Sequence, residues 1–296
     1  MDVRVLETAS SALLSPQTAG SFVREFDYTI NPYGGCAFAC AYCYVPSVLR
    51  GRAEKMGGWG TYVEARVRAP AVLARQRHLL AGRSFFCASA TDPWQPAERR
   101  YEITRRLLEI LAGVPFTFGL FSTRSPLVLR DLDLLGAMAQ RTEVGISLPT
   151  DREDVRRVFE PRNPPVAARL ETARRLREAG IAVRLHVSPA QPATAEFPRL
   201  AGEVADWVWL DWPAHLRADW TDLYRQHGLG EWLRRERIEE EAARWRSVLG
   251  DERVKIGREW FAWRAGHPER SEGSWGESDR EILRSAQDDN GRPPGG

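Results

Sequence analysis

Lysine is nearly missing from this sequence: Lys55 and Lys255 are the two present, so 42 − 2 = 40 of its 42 basic residues are arginine. Set against 40 acidic residues they leave a formal net charge of +2. The pI of about 8.4 falls short of the strongly basic balance of a dedicated nucleic-acid-binding domain. A local basic patch is not excluded by that balance. The arginine bias reads first as genome composition and second as a preference for planar, bidentate anion binding. Long apolar runs are also missing. The most apolar region, Leu107 to Ser122, is broken by Glu109, Gly113 and Pro115 and is too short for a membrane span. The opening MDVRVLETASSALL mixes charges into its first residues, so no secretory signal is expected. Cysteine is scarce, four in 296 residues, and no disulfide framework is implied. The expectation is a soluble, cytoplasmic protein without a membrane partner, whose thiols stay reduced.

What the chain does have is a rhythm. Short β-branched or aromatic runs alternate with longer amphipathic ones from about Phe26 to Leu210, which is the pattern of βα units and a parallel sheet. Candidate strands are Glu25 to Ile30, Tyr62 to Val67, Ser84 to Ala90, Phe116 to Ser122, Glu143 to Leu148, Ile181 to Val187 and Asp206 to Leu210. Seven are more than a six-stranded sheet needs, so one is expected to lie outside it. Candidate helices are Pro70 to Leu80, Pro96 to Ala112, Ser125 to Gln140, Asp151 to Phe159, Pro164 to Ala179 and Ala193 to Gly202. Ser125-Pro126 reads as an N-cap with proline at the first helical position, and Gly180 as a C-terminal stop. The fold class is therefore α/β, a full or partial barrel with its functional loops at the carboxyl ends of the strands.

Four regions follow: an N-terminal extension (1–24), the barrel (25–212), a Trp-, Arg- and Glu-rich helical cap (213–266) and a tail (267–296). A short strand is expected in the cap at Arg253 to Ile256. The tail is poor in apolar residues, too poor to order itself by burial, and is expected to be disordered.

Three of the four cysteines fall in NPYGGCAFACAYCY, Asn31 to Tyr44: Cys36, Cys40 and Cys43, spaced C-x3-C-x2-C directly after a candidate strand. Asn31-Pro32 and Gly34-Gly35 loosen this loop enough to wrap its sulfurs around one point. A structural zinc site calls for four ligands, and no histidine lies near; His78 is the closest in sequence. A cubane iron–sulfur cluster takes one thiolate per iron, so three thiolates leave the fourth iron open. Burial without metal gives no reason for clustering cysteines beside glycines and aromatics.

The loop resembles the signature of the radical S-adenosylmethionine enzymes, C-x3-C-x-aromatic-C, with Tyr42 in the aromatic position. Further blocks, TDPWQPAERRYEITRRLLEIL, FSTRSPLVLRDLDLL and EPRNPPVAARLETARRLREAGI, are similar to the spore photoproduct lyase-like branch, whose members are often labelled DNA repair photolyases. The resemblance covers about Phe26 to Gln191. It implies a partial (βα)6 TIM-like barrel and a [4Fe–4S] cluster whose open iron chelates S-adenosylmethionine. An external one-electron reductant of flavodoxin or ferredoxin type then drives cleavage to a 5′-deoxyadenosyl radical that abstracts hydrogen from a substrate.

Within that frame Thr91 and Asp92 can receive the methionyl ammonium, although Asp92-Pro93 is also good turn chemistry. Arg124 stands where relatives carry a basic residue, usually lysine, and can pair bidentately with the cofactor carboxylate. Ser147 matches a position that contacts ribose or carboxylate, or else it caps the helix near Asp151. Tyr44 can touch the adenine or pack in the core. His186 reads as a hydrogen-bonded core residue more than as a proton shuttle.

Spore photoproduct lyase carries a cysteine near the end of the Ser84 strand that returns a hydrogen atom to the product. Ser89 stands at that place here, which puts the specific lyase activity in doubt. Strand alternation puts Cys87 on the same face as Ser89, a candidate donor one layer deeper, though a small apolar core residue is the better reading. The Trp-rich segment (Trp207, Trp209, Trp212, Trp220) can stack bases or simply close the barrel. Three readings stay open: a radical enzyme on a nucleic acid; one on a protein, peptide or metabolite; and a non-enzymatic iron–sulfur or zinc protein.

Overall fold

β-Branched and aromatic runs do form the strands. The computed structural model describes residues 3–9, 13–17, 26–49, 51–211 and 218–256. Within them the strands are β1 Arg4–Thr8, β2 Leu14–Pro16, β3 Tyr28–Ile30, β4 Tyr33–Gly35, β5 Tyr62–Arg66, β6 Ser84–Cys87, β7 Phe118–Thr123, β8 Thr142–Ser147, β9 Ala182–Val187, β10 Trp207–Leu210 and β11 Val254–Ile256. The main sheet runs β11-β10-β9-β8-β7-β6-β3-β2. Each neighbour pair in it is parallel except β2 with β3. The surplus candidate strand is β5, which joins β1 and β4 in a separate three-stranded sheet. The 1–24 segment thus supplies β1 and β2, which propensity alone did not disclose. The tail and part of the cap, from residue 257 on, lie outside the described residues, as do Trp212 and the Trp220 side chain.

Helices follow the expected periodicity, with corrections that have local causes. Ile103–Ala112 buries Ile103, Thr104, Leu107, Leu108 and Leu111 along one stripe, and Val166–Glu178 buries Val166, Arg169, Thr172, Ala173 and Leu176. Each fully buried Leu in such a stripe stabilises by about 1.5–3 kcal/mol. Gly180, at φ +76°, ends the second helix in a Schellman motif: Ile181 N donates to Leu176 O (3.1 Å) and Gly180 N to Arg177 O (2.9 Å).

The expected single helix from Pro96 to Ala112 is instead broken at Glu102, whose φ is +49°. The break lets the wholly buried Glu98 carboxylate turn inward and accept from Thr104 N (3.0 Å) and Arg105 N (3.1 Å), a capping role at the positive end of the following helix. Ser125 caps as expected, accepting from Leu127 N at 3.3 Å, but the turn it starts is 3-10 up to Asp131 before the α-helix Leu132–Ala137 begins.

Register assigns the two faces of the sheet. Phe85, Cys87, Phe121, Val144, Ile146, Val183, Leu185 and Val187 are buried on the helix-covered face. Phe86, Leu120, Ser122, Gly145, Ser147, Arg184, His186, Trp207 and Trp209 point the other way. On that inner face Glu143 and Arg184 form a bidentate pair (2.9 and 2.8 Å), and both Arg184 and Lys255 lie over the Trp207 ring, at 4.2 and 4.6 Å from its centroid.

His186 crosses the backbone of Gly145, where a Cβ would come within 2.7 Å of the imidazole, and its Nδ1 is 3.2 Å from Ser122 Oγ. Burial, then the charges of Arg184 and Arg124, push the imidazole down from 6.5 to about 3. A histidine depressed in the folded state contributes stability above its unfolded value, and that stability is lost as pH falls from about 6.5 toward 3. His186→Asn should therefore flatten the acid side of the melting-temperature curve between pH 6.5 and 4.5 relative to the wild type; parallel curves would show that His186 does not titrate with unfolding.

Candidate functional site

The cysteine loop leaves β4 at Gly35, the end of the second sheet. Gly35 has φ +66°, and a Cβ there would lie 2.6 Å from Tyr62 O. Ala39, between Cys36 and Cys40, is left-handed (φ +49°), and its methyl faces Gly60, where a Cβ would come within 2.3 Å of it. The loop is then pinned from several sides. Ala41 N donates to Phe159 O (2.9 Å), Cys43 N to Cys40 O (3.1 Å) and Ala37 N to Gln95 Oε1 (2.9 Å).

Cys36 and Cys40 are buried and Cys43 is half-buried, in a cluster with Phe38, Tyr42, Phe159, Tyr224 and Trp232. Tyr224 and Trp232 come from the segment after the barrel, so part of the expected cap covers this loop; the Phe159 and Tyr224 rings are 4.6 Å apart. Among the described residues no three His, Cys, Asp or Glu side chains converge closely enough to hold one metal ion. A cluster that takes one thiolate per iron does not require that convergence.

Two donors reach the Cys40 sulfur, Arg124 Nη1 and Asn163 Nδ2, the latter at 3.3 Å. Burial pushes the Cys36 thiol up, with Asp92 adding to it, and burial pushes Cys40 up against the opposing charge of Arg124. Arg124 is itself held charged: burial pulls its guanidinium down, but Cys40, Tyr42, Glu160 and Asp92 outweigh that and raise it. Its Nε is buried with no partner, as is Asn163 Oδ1. An unsatisfied cationic donor and an unsatisfied amide acceptor beside three thiols suit a zwitterionic ligand carrying carboxylate and ammonium.

The other residues singled out in the sequence serve mainly to hold this arrangement. Asp92 Oδ1 accepts from Trp94 N (2.9 Å) and Thr123 Oγ1 (2.8 Å), and Oδ2 from Arg124 N (3.0 Å). Three of its roughly four lone-pair sites are thus filled. Thr91 donates to Gly35 O (2.6 Å) and accepts from Gln95 Nε2 (3.1 Å). Tyr44 donates to Ser89 O. Ser147 lends its carbonyl to Arg169 Nη1 (2.9 Å), while the turn into the next helix is served by Thr150, which accepts from Arg152 N (3.0 Å).

Cys87 lies apart from the loop cysteines, on the helix-covered face beside Phe85. The alternation argument that joined it to Ser89 fails, because Ala88 is left-handed (φ +74°) and ends the strand. Sequence reasoning did not single out Glu160, which accepts from Tyr42 OH and pairs with Arg169 Nη2 at 2.5 Å, all three side chains being buried. Glu160 and Asn163 both belong to EPRNPP, a stretch matched as a block but not residue by residue.

A family model described as the Radical SAM superfamily matches residues 30–192. An uncharacterized protein of Methanocaldococcus jannaschii is 28% identical over 176 residues, 60% of this chain and 65% of that protein. One of Acidianus two-tailed virus is 34% identical over 174 residues, 56% of each chain. A Mycobacterium tuberculosis protein is 30% identical over 191 residues, 61% of this chain and 55% of its own. The chain thus spans less than two thirds of the length of these relatives. Among solved structures, a spore photoproduct lyase variant superposes with a TM-score of 0.64 at 16% identity, over 85% of this chain and 81% of that one. A second variant, with bound AdoMet and dinucleoside spore photoproduct, gives 0.61 at 16% identity over 85% and 80%. At that identity the likeness is one of fold, and it agrees with the partial barrel.

Glu160 is held below the usual carboxylate range because Arg169 and Arg124, with the hydrogen bonds from Arg169 and Tyr42, outweigh the burial that raises it. Glu160→Gln leaves the Arg169 guanidinium buried and unpaired, and should destabilise the fold by about 3–5 kcal/mol in urea unfolding. Tyr42→Phe removes one donor and should cost about 1–3 kcal/mol. Equal stability of Glu160→Gln and wild type would show that the triad carries no such weight.

Proposed function

Since this chain belongs to the Radical SAM superfamily, we propose that Cys36, Cys40 and Cys43 hold a [4Fe–4S] cluster, and that the residues around them bind S-adenosylmethionine at its open iron. The observation that carries this reading is the partnerless Nε of Arg124, on a guanidinium that reaches the Cys40 sulfur. When bound, the cluster supplies, from an external one-electron reductant of flavodoxin or ferredoxin type, the electron that cleaves S-adenosylmethionine to a 5′-deoxyadenosyl radical.

The protein's own part is placement. Arg124 turns its guanidinium to the cofactor carboxylate, bidentately, as lysine would not. Asp92 has one lone-pair site left for the ammonium, and its main work is to fix the Arg124 backbone by accepting from Arg124 N. Thr91 fixes the start of the cysteine loop through Gly35 O. Ser147, at the end of β8, and Tyr44, held by Ser89 O, face the nucleoside portion. Tyr42 keeps the loop fixed from below through Glu160. Phe159, Tyr224 and Trp232 exclude water from the thiols. The regions 25–212 and 213–266 act as barrel and cap in this reading.

A nucleic-acid substrate is the first to test, since the lyase of similar fold has a structure with bound dinucleoside spore photoproduct. Against ready base stacking, the Trp207 ring already carries Arg184 and Lys255. A protein, peptide or metabolite substrate is the second reading. Nucleic-acid binding that falls steeply with salt supports the first, and nucleic acid that neither binds nor changes 5′-deoxyadenosine production supports the second.

Anaerobic reconstitution with iron and sulfide, dithionite reduction and chromatography for 5′-deoxyadenosine test the chemistry. Cys36→Ala, Cys40→Ala and Cys43→Ala should each abolish S-adenosylmethionine cleavage, whereas Cys87→Ala should keep the cluster's absorbance. Full cleavage by Cys40→Ala, or zinc in place of iron, sinks the proposal.

A further inference from the structure

Asn163 reaches the Cys40 sulfur through Nδ2, a contact to which the proposed function gives no role. It lies four residues after Phe159, at the end of the helix Glu153–Phe159, and is 6% exposed. Its backbone is fixed twice over: Asn163 N donates to Glu160 O (3.0 Å), and Asn163 O accepts from Arg156 Nη1 (3.1 Å). Arg156 Nη1 also donates to Glu160 O (2.7 Å), so this turn is closed by one guanidinium. The backbone that carries this side chain is therefore held in place by the turn that carries Glu160, and its burial limits where the side chain can go. From that fixed point Nδ2 donates to the Cys40 sulfur at 3.3 Å.

We infer that Asn163 is a positioning residue for the cluster ligand Cys40, and that its hydrogen bond sets the reduction potential of the bound cluster. This rests on the reading that Cys40 is a ligand. The physical argument is one of charge. A one-electron reduction of an iron–sulfur cluster adds negative charge that is shared with the ligand sulfurs, and a donor aimed at a sulfur stabilises the reduced form more than the oxidised one.

Asn163 suits this better than Arg124. Arg124 projects from the loop after β7 on a long side chain and, in the proposed function, is recruited to the cofactor carboxylate. Asn163 is short, neutral and locked through its own backbone, so its contact persists whether or not a cofactor carboxylate is present. A neutral donor also leaves the site's net charge unchanged. Removing it should make the cluster harder to reduce without removing the ligand set.

The test is potentiometric. Wild type, Asn163→Leu and Asn163→Ala are reconstituted anaerobically, assayed for iron and sulfide per chain, and titrated without S-adenosylmethionine by following the electron paramagnetic resonance signal of the reduced cluster. Both variants lack the N–H donor and leave the charge unchanged, and Asn163→Ala serves if Asn163→Leu fails to fold. Wild-type iron content with a midpoint potential shifted to more negative values in both is the expected result. An unchanged potential in a fully loaded variant overturns the inference, and so does a folded variant of either kind that loads no cluster, because Asn163 would then be required for assembly rather than for potential. A wild type that takes up no iron would instead overturn the cluster assignment of Cys40, and is told apart by its occurring before any variant is compared.

Discussion

A single buried carboxylate ties the cysteine loop to the rest of the molecule. Glu160 is fully buried and meets the Tyr42 phenol from the loop on one oxygen and the Arg169 guanidinium from the helix Val166–Glu178 on the other. Arg169 in turn holds the carbonyl of Ser147 at the end of β8. Taking an ion pair out of water costs several kcal/mol per ion, and it is tolerated where geometry and extra hydrogen bonds offset the loss. Here those extra bonds run to the loop and to the sheet. The stabilisation available to the pair is therefore conditional on the cysteines standing where they do.

The same device recurs around the barrel mouth. Asp92 joins the loop after β6 to the end of β7. Glu98 accepts from Tyr33 of β4, caps the helix Ile103–Ala112 and pairs with Arg130 at 2.7 Å. Asp131, wholly buried, takes Trp94 Nε1 (2.8 Å), Arg105 (2.9 Å) and Arg130 (2.8 Å). These sites need a planar, permanently charged donor that satisfies two acceptors at once, which arginine supplies and lysine does not. Whatever set the arginine bias of this chain, the buried arginines 156, 169 and 184 are spent on geometry that lysine could not reproduce.

How much of this the sequence discloses depends on the range of the interaction involved. The βα rhythm, the strands of the main sheet and the Schellman end at Gly180 are local, carried by periodicity and turn chemistry, and the structure keeps them within a few residues. The cysteine spacing was legible because it is set by a motif, whereas Arg124 was singled out as a partner for a cofactor carboxylate and its contact with Cys40 was not foreseen. Glu160, Asn163 and Arg169 were not, because a polar side chain looks the same in sequence whether it faces water or a partner more than a hundred positions away, as Tyr42 is from Glu160. The Cys87 argument failed for a different reason. Alternation holds only while φ stays negative, and nothing in SFFCASATD marks Ala88 as the left-handed residue that ends it.

That residue points to a general feature of the site. Non-glycine residues in the left-handed region cost about 1–2 kcal/mol each, and Ala39 and Ala88 both adopt it next to the loop, one inside the cysteine motif and one just before Ser89. Arg124 Nε and Asn163 Oδ1 add buried polar atoms without partners, at about 1–3 kcal/mol apiece. The surrounding core, with Phe159, Tyr224 and Trp232 packed over the loop, offsets these costs. A ligand that supplied an acceptor to Arg124 Nε and a donor to Asn163 Oδ1 would remove those two costs without moving the backbone.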